Sequence, residues 1–139
     1  MIYVRLTAGL DWVYSQSTGH LYLADHQDAR AFVAVGYSGA PGHVNRTESE
    51  AIVARGPIPR GLWRMDPPAD HQRLGPISIG LEAADPQTAL KRGGFYVHGD
   101  NKAGDNSAST GCIVLSRPTR ELMQHLYWKA AVRSILVVD

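Results

Sequence analysis

Short apolar runs rich in Val, Ile, Leu, Tyr and Trp recur along this chain, each cut off by Gly, Pro, Asn, Asp or Ser. Runs this brief suit strands, because a helix needs about ten or more residues before its 3.6-residue pattern buries a useful stripe. Strands are expected at residues 2–6, 12–15, 20–24, 32–37, 62–65, 77–81, 95–98, 112–115 and 134–138. Between the second and third, Gln16-Ser17-Thr18-Gly19 reads as a hairpin turn in which glycine supplies the positive φ. Segments 39–48 and 67–76 carry Gly, Pro and charges and read as loops. One stretch is helical: Ser116 caps it, Pro118 sits in its first turn, and Leu122, Met123, Leu126 and Ala130 share a face. The pattern predicts one mainly β domain over residues 1–139, with a single helix near the C-terminal end.

At 139 residues such a domain buries roughly two-thirds of its unfolded surface, enough for a core without disulfides or a metal. With 14 Lys plus Arg against 13 Asp plus Glu, nothing marks nucleic acid or an anionic membrane as the main partner. The single cysteine excludes an internal disulfide and any metal site needing two or four cysteines. No stretch approaches the ~18 apolar residues of a membrane span. Residues 1–11 lack a basic start, and Arg5 and Asp11 interrupt the apolar run of a secretory signal. The expectation is a chain made in the cytoplasm. If it works elsewhere, something other than a cleavable signal carries it there.

Chemistry concentrates in Gly94-Phe-Tyr-Val-His98-Gly99-Asp100-Asn101 and Ser107-Ala-Ser109-Thr110-Gly111-Cys112-Ile113. A histidine ends one strand, a polar glycine-rich loop follows, and the only cysteine opens the next apolar run. Successive strands usually lie side by side, so the ends facing that loop are expected to bring His98 near Cys112. A thiol is mostly protonated at neutral pH, and an adjacent imidazole that takes its proton yields the reactive thiolate. Gly111 removes a Cβ beside the nucleophile, and the N–H groups of Gly111 and Cys112 are the expected oxyanion donors. The residues alone leave a second reading open, in which Cys112 is a small buried hydrophobe and His98 a structural strand end.

His98 followed by Ser109-Thr110-Gly111-Cys112-Ile113 resembles the signature of the L,D-transpeptidase (YkuD-like) family: histidine, spacer, Ser or Thr, His, Gly, Cys and a hydrophobic residue. Gly56-Pro57-Ile58-Pro59-Arg60-Gly61-Leu62-Trp63 is similar to the family's segment leading into a core strand. The segments from Trp12 to Tyr22 and Gly36-Tyr37-Ser38-Gly39 resemble a small branch of antibacterial effectors delivered by the type VI secretion system. The chain departs from the family at three places. Thr110 stands where the second histidine usually does, the spacer between His98 and Ser109 is only residues 99–108, and Val114 replaces an Arg or Asn.

The resemblance implies a β-sandwich or flattened barrel and, with no cofactor, acyl transfer on the tetrapeptide stems of peptidoglycan. It makes Cys112 the nucleophile, His98 the base, and the carbonyl of Gly99 the group that orients the imidazole. The implied outcomes are L,D-carboxypeptidase action, D-amino-acid exchange or cross-linking. Implied too are export by secretion machinery, action in the periplasm of target bacteria, and a cognate immunity protein. Asp100 is a candidate to orient His98 or bind a substrate amine, but also an ordinary turn former. Arg92 and Arg60 are candidates to grip stem carboxylates, since guanidinium binds carboxylate bidentately; Lys91 reads as a solvated charge. Ser109 either touches substrate or holds the loop, while Trp12 and Trp63 read as core. His20, His26, His43, His71 and His125 receive no role. Three rivals remain: a papain-like amidase, which generally places Cys before His; a non-catalytic wall-binding or phage structural domain; and a metal site from His98, Asp100, Cys112 and a remote histidine.

Overall fold

The computed structural model describes residues 9–25 and 29–139, so the strand expected at 2–6 lies outside the described residues. β1 (Asp11–Ser15) and β2 (His20–Ala24) form a hairpin across the expected turn, where Gly19 has φ 75° and its N–H bonds Ser15 O at 2.8 Å. β3 (Arg30–Val35) pairs antiparallel with β2. The one strand expected over 32–37 is broken at Gly36, beyond which β4 (Tyr37–Ser38) begins on a different partner. A Cβ on Gly36 would lie 2.2 Å from Val114 O and 2.6 Å from Leu115 Cδ2. Only glycine lets the chain pass this close to its neighbour.

Then follow β5 (Gly61–Met65), β6 (Ala69–His71), β7 (Gly75–Ala83), β8 (Phe95–His98), β9 (Ile113–Val114), helix α1 (Arg117–Lys129) and β10 (Ser134–Val138). Residues 67–76, expected as a loop, instead hold β6 and the start of β7. His71 stands opposite Gly75, and Asp70 Oδ1 accepts the Ile77 N–H at 3.2 Å. Ala69-Asp70-His71 has no alternating apolar pattern, which is why its strand is invisible in the sequence.

Among the described residues the sheet runs β3-β2-β1-β10-β5-β7-β8-β9-β4, with β6 attached to β7. Its two ends, β3 and β4, are separated only by Gly36, so the path returns to where it began. The sheet is therefore open in hydrogen bonding, its two edge strands joined through the covalent chain at one sharp corner. Inside lie Trp12, Tyr14, Leu21, Trp63, Ile79 and Ile135, all essentially buried. Each contributes on the order of 1.5–3 kcal/mol by leaving water.

Helix α1 starts as expected, with Ser116 Oγ accepting the Thr119 N–H and Pro118 in the first turn. Its core face differs from the expected one. Thr119, Arg120, Met123 and Tyr127 are buried, whereas Leu122 is 39% exposed. A buried arginine displaces the apolar stripe because its guanidinium has backbone carbonyls to satisfy: Nε donates to Leu115 O at 3.0 Å, and the same group reaches Pro76 O and Ile77 O. No described helix is long and apolar enough to cross a membrane.

Candidate active site

Alternation along β8 sorts its residues between two environments. Phe95 and Val97 enter the core, while Tyr96 and His98 line a cavity of about 470 Å³ that also receives Cys112. The approach of His98 to Cys112 differs from the expected one. β8 and β9 pair in parallel, Val97 opposite Ile113 and His98 opposite Val114, so the intervening loop is a crossover and not a hairpin turn. Cys112 sits just before β9 and His98 at the end of β8. Because both strands are short, a parallel register still leaves the two side chains on one cavity.

His98 is only 5% exposed, and its Nδ1 donates to Gly99 O at 2.7 Å. A carbonyl can only accept, so this bond fixes the proton on Nδ1 and leaves Nε2 with its lone pair. Burial pushes the imidazole below its ordinary value of 6.5; the Gly99 carbonyl opposes the shift and the Arg120 charge adds to it. Burial pushes the Cys112 thiol up, while the Tyr96 N–H and the charges of Arg73 and Arg92 pull it down. Its Sγ lies 3.7 Å from Gly94 O. At rest these shifts favour a neutral thiol beside a neutral imidazole.

The loop carrying Cys112 is held by two buried serines. Ser109 Oγ donates to Cys112 O at 2.7 Å and accepts the N–H groups of Gly39 and Gly111, each at 3.0 Å. Ser38 Oγ donates to Gly111 O at 2.9 Å and accepts the Ile58 N–H at 2.8 Å. Ser109 therefore clamps the loop and is 1% exposed. Of the two N–H groups expected to face an oxyanion, that of Gly111 is thus committed to Ser109. Gly111 also has a different reason to be glycine. Its φ is +147°, and a Cβ would meet Arg92 Nη2 at 2.7 Å and Phe95 Cε1 at 2.9 Å, which are protein atoms and not substrate space. Ser38 lies in the Gly36–Gly39 segment already singled out, but nothing in its sequence context reveals that it clamps this loop.

The two candidate carboxylate grips are both engaged. Arg60 pairs with Glu50 at 2.7 Å. Arg92 donates to the carbonyls of Glu50, Gly56, Pro57 and Thr110, and stacks 5.0 Å from the centre of the Phe95 ring. It ties segment 50–57 to the cysteine loop. Arg92 and Cys112 also line a smaller cleft of about 140 Å³ with Val53, Gly94 and Thr110. Asp100 is given to Tyr37, whose hydroxyl donates to it at 2.7 Å, and to the Asn101 N–H at 2.9 Å; it lines a separate cavity of about 450 Å³ with Asn45 and Ser116. The hydrogen bond orienting His98 comes from Gly99 instead. Trp12 and Trp63 lie in the core. Among the described residues no three His, Cys, Asp or Glu side chains gather into a metal-binding cluster.

Two polar residues of this cavity from outside the motif segments were given no part by the sequence: His71 and Arg73, both from the β6–β7 hairpin. Their signal was hidden with that of β6, since only pairing with β7 brings them to the cysteine.

Solved structures of similar fold include L,D-transpeptidases and a cell shape determining protein. The chain matches Mycobacterium tuberculosis L,D-transpeptidase 1 at 17% identity and TM-score 0.52, covering 94% of this chain and 62% of that one. It matches Bdellovibrio bacteriovorus Bd1075 at 12% and 0.65, covering 95% and 48%. The helical cell shape determining protein Pgp2 of Campylobacter jejuni matches at 12% and 0.63, covering 94% and 48%. The chain thus spans about half to three-fifths of each, and at these identities the likeness is one of fold. No curated protein matches the chain. The fold is that of L,D-transpeptidases, and a family model described as the Tlde1 domain matches residues 33–137, from β3 through both cavity-lining strands to β10; the chain belongs to the Tlde1 domain family.

Proposed function

We propose that residues 1–139 form one catalytic domain that modifies peptidoglycan stems by cysteine acyl transfer, as a secreted antibacterial effector. The observation carrying this reading is the shared cavity of His98 and Cys112, with Nδ1 tied to Gly99 O and Nε2 left as the base. Nε2 of His98 takes the thiol proton as Cys112 Sγ attacks the carbonyl between diaminopimelate and the terminal D-alanine. The Cys112 N–H faces the developing oxyanion. Collapse returns the proton from His98 to the departing amine, releasing D-alanine and leaving a thioester. Water then gives a tripeptide, a free D-amino acid gives exchange, and the amine of another stem gives a cross-link. Because Cys112 lines clefts on two sides, donor and acceptor have separate approaches to the sulfur.

Membership of the Tlde1 family supports the effector setting: delivery by secretion machinery, action in the periplasm of target bacteria, and a cognate immunity protein in the producer. Hydrolysis or exchange there removes the tetrapeptides that cross-linking needs. The test is incubation with purified tetrapeptide muropeptides, with and without a D-amino acid, read by mass spectrometry. Wild type releases or exchanges D-alanine and Cys112→Ser does neither; an unchanged substrate with both proteins rejects the reading.

A further inference from the structure

A stem peptide ending in a carboxylate needs a cation near the sulfur, and the two arginines first considered for that task are engaged elsewhere. Arg60 is bound to Glu50, and Arg92 to four backbone carbonyls. The cation that lines the cavity holding both His98 and Cys112 is Arg73, at the exposed turn between β6 and β7. Among the described residues its side chain forms no ion pair and no hydrogen bond. Beside it stands His71, whose ring is fixed on two sides. Its Nδ1 accepts the N–H groups of Arg73 at 3.1 Å and Leu74 at 3.0 Å, and its ring lies edge-on to Tyr96 with centroids 5.1 Å apart. With Nδ1 accepting, the ring of His71, which lines this cavity, carries its proton on Nε2.

We infer that the turn of the β6–β7 hairpin is a carboxylate-recognition site, in which Arg73 supplies the charge and His71 Nε2–H a second donor for a substrate carboxylate beside the scissile amide. A guanidinium and a neutral imidazole N–H side by side match the two oxygens of one carboxylate. The ring of His71 also sets where Arg73 can reach, because the same nitrogen that fixes the ring is bonded to the Arg73 backbone. The electrostatics agree, since Arg73 is close enough to Cys112 to favour its thiolate. The site rests on the acyl-transfer reading above, and two carboxylates of a stem have this chemistry: that of the terminal D-alanine and the side-chain carboxylate of diaminopimelate.

The experiment measures D-alanine release by wild type, Arg73→Ala, Arg73→Lys and His71→Asn on three substrates: the tetrapeptide, its C-terminal amide, and a tetrapeptide with lysine in place of diaminopimelate. Arg73→Ala is expected to raise KM roughly 10- to 100-fold with kcat largely kept, Arg73→Lys to recover part of the loss, and His71→Asn to show a smaller rise. The substrate on which wild type and Arg73→Ala become equal identifies the carboxylate recognised. Affinity for the tetrapeptide in the Cys112→Ser background, measured by calorimetry with and without Arg73→Ala, reads the same site without turnover. Equal affinities there, or an unchanged KM in an active Arg73→Ala enzyme, overturn the carboxylate site. A wild type that binds through Arg73 but releases nothing overturns only the acyl-transfer reading.

Discussion

Burial acts in opposite directions on the two side chains of the proposed reaction, lowering the imidazole of His98 and raising the thiol of Cys112. The base is competent only when neutral, so the acid limb of kcat/KM should lie below 6.5, where an ordinary histidine has already lost half its activity. The same shift has a stability counterpart. Between the lowered folded value and the unfolded 6.5 the unfolded chain binds the extra proton, so stability falls as pH drops through that window. Urea titrations at pH 7.5 and 5.5 on wild type and His98→Gln check it, the variant losing part of the difference. Gly111→Ala forces an L-residue into φ +147° against Arg92 and Phe95, and should cost about 1–3 kcal/mol in chemical denaturation. At this scale the sequence was legible in bringing His98 and Cys112 to one cavity. For Arg60, Arg92 and Asp100 it did not show the groups that engage them: Glu50 for Arg60, backbone carbonyls for Arg92 and the Tyr37 hydroxyl for Asp100.

Helix α1 reaches the site through Arg120. A Cβ on Gly99 would lie 2.6 Å from Arg120 Nη2, so the guanidinium packs against the residue whose carbonyl orients His98. It also holds the carbonyl of Ile77, a β-branched residue at φ 54°. Arg120→Met should therefore do two separable things. Loss of the charge moves the acid limb of kcat/KM upward, because Arg120 is one of the groups that lower His98. Loss of the donors leaves carbonyls of Leu115, Pro76 and Ile77 unsatisfied and lowers stability by about 1–3 kcal/mol. A pH–rate profile and a thermal melt check the two effects independently. The helix itself was readable from Ser116 and Pro118, but its buried face was not. Hydrophobic spacing selects Leu122, whereas the fold places there a charge whose partners come from β7 and from the end of β9.

Across the whole molecule the sheet's two ends share one continuous stretch of chain, with Gly36 at the corner. Gly36→Ala drives a methyl into Val114 O and Leu115, and should cost at least about 2 kcal/mol while abolishing activity, since Val114 is two residues from Cys112. Equilibrium unfolding and the muropeptide assay read the two losses. Mainly β character was legible from the short apolar runs, yet the path of the sheet was not. The ladder of β1 with β10 joins the two ends of the described chain, and that of β8 with β9 runs parallel between consecutive strands; local alternation says nothing about a distant partner or a strand's direction.

β9, next to Cys112, is joined to the sheet by only two residue pairs on each side, to Tyr37 and Ser38 of β4 and to Val97 and His98 of β8, whereas β1, β10 and β5 are fastened by longer ladders. Fabric lets go first at its shortest seams. Mild denaturation should free the strip bearing Cys112 from its serine anchors while the rest of the sheet stays laced, so the proposed activity should vanish before the chain comes apart as a protein.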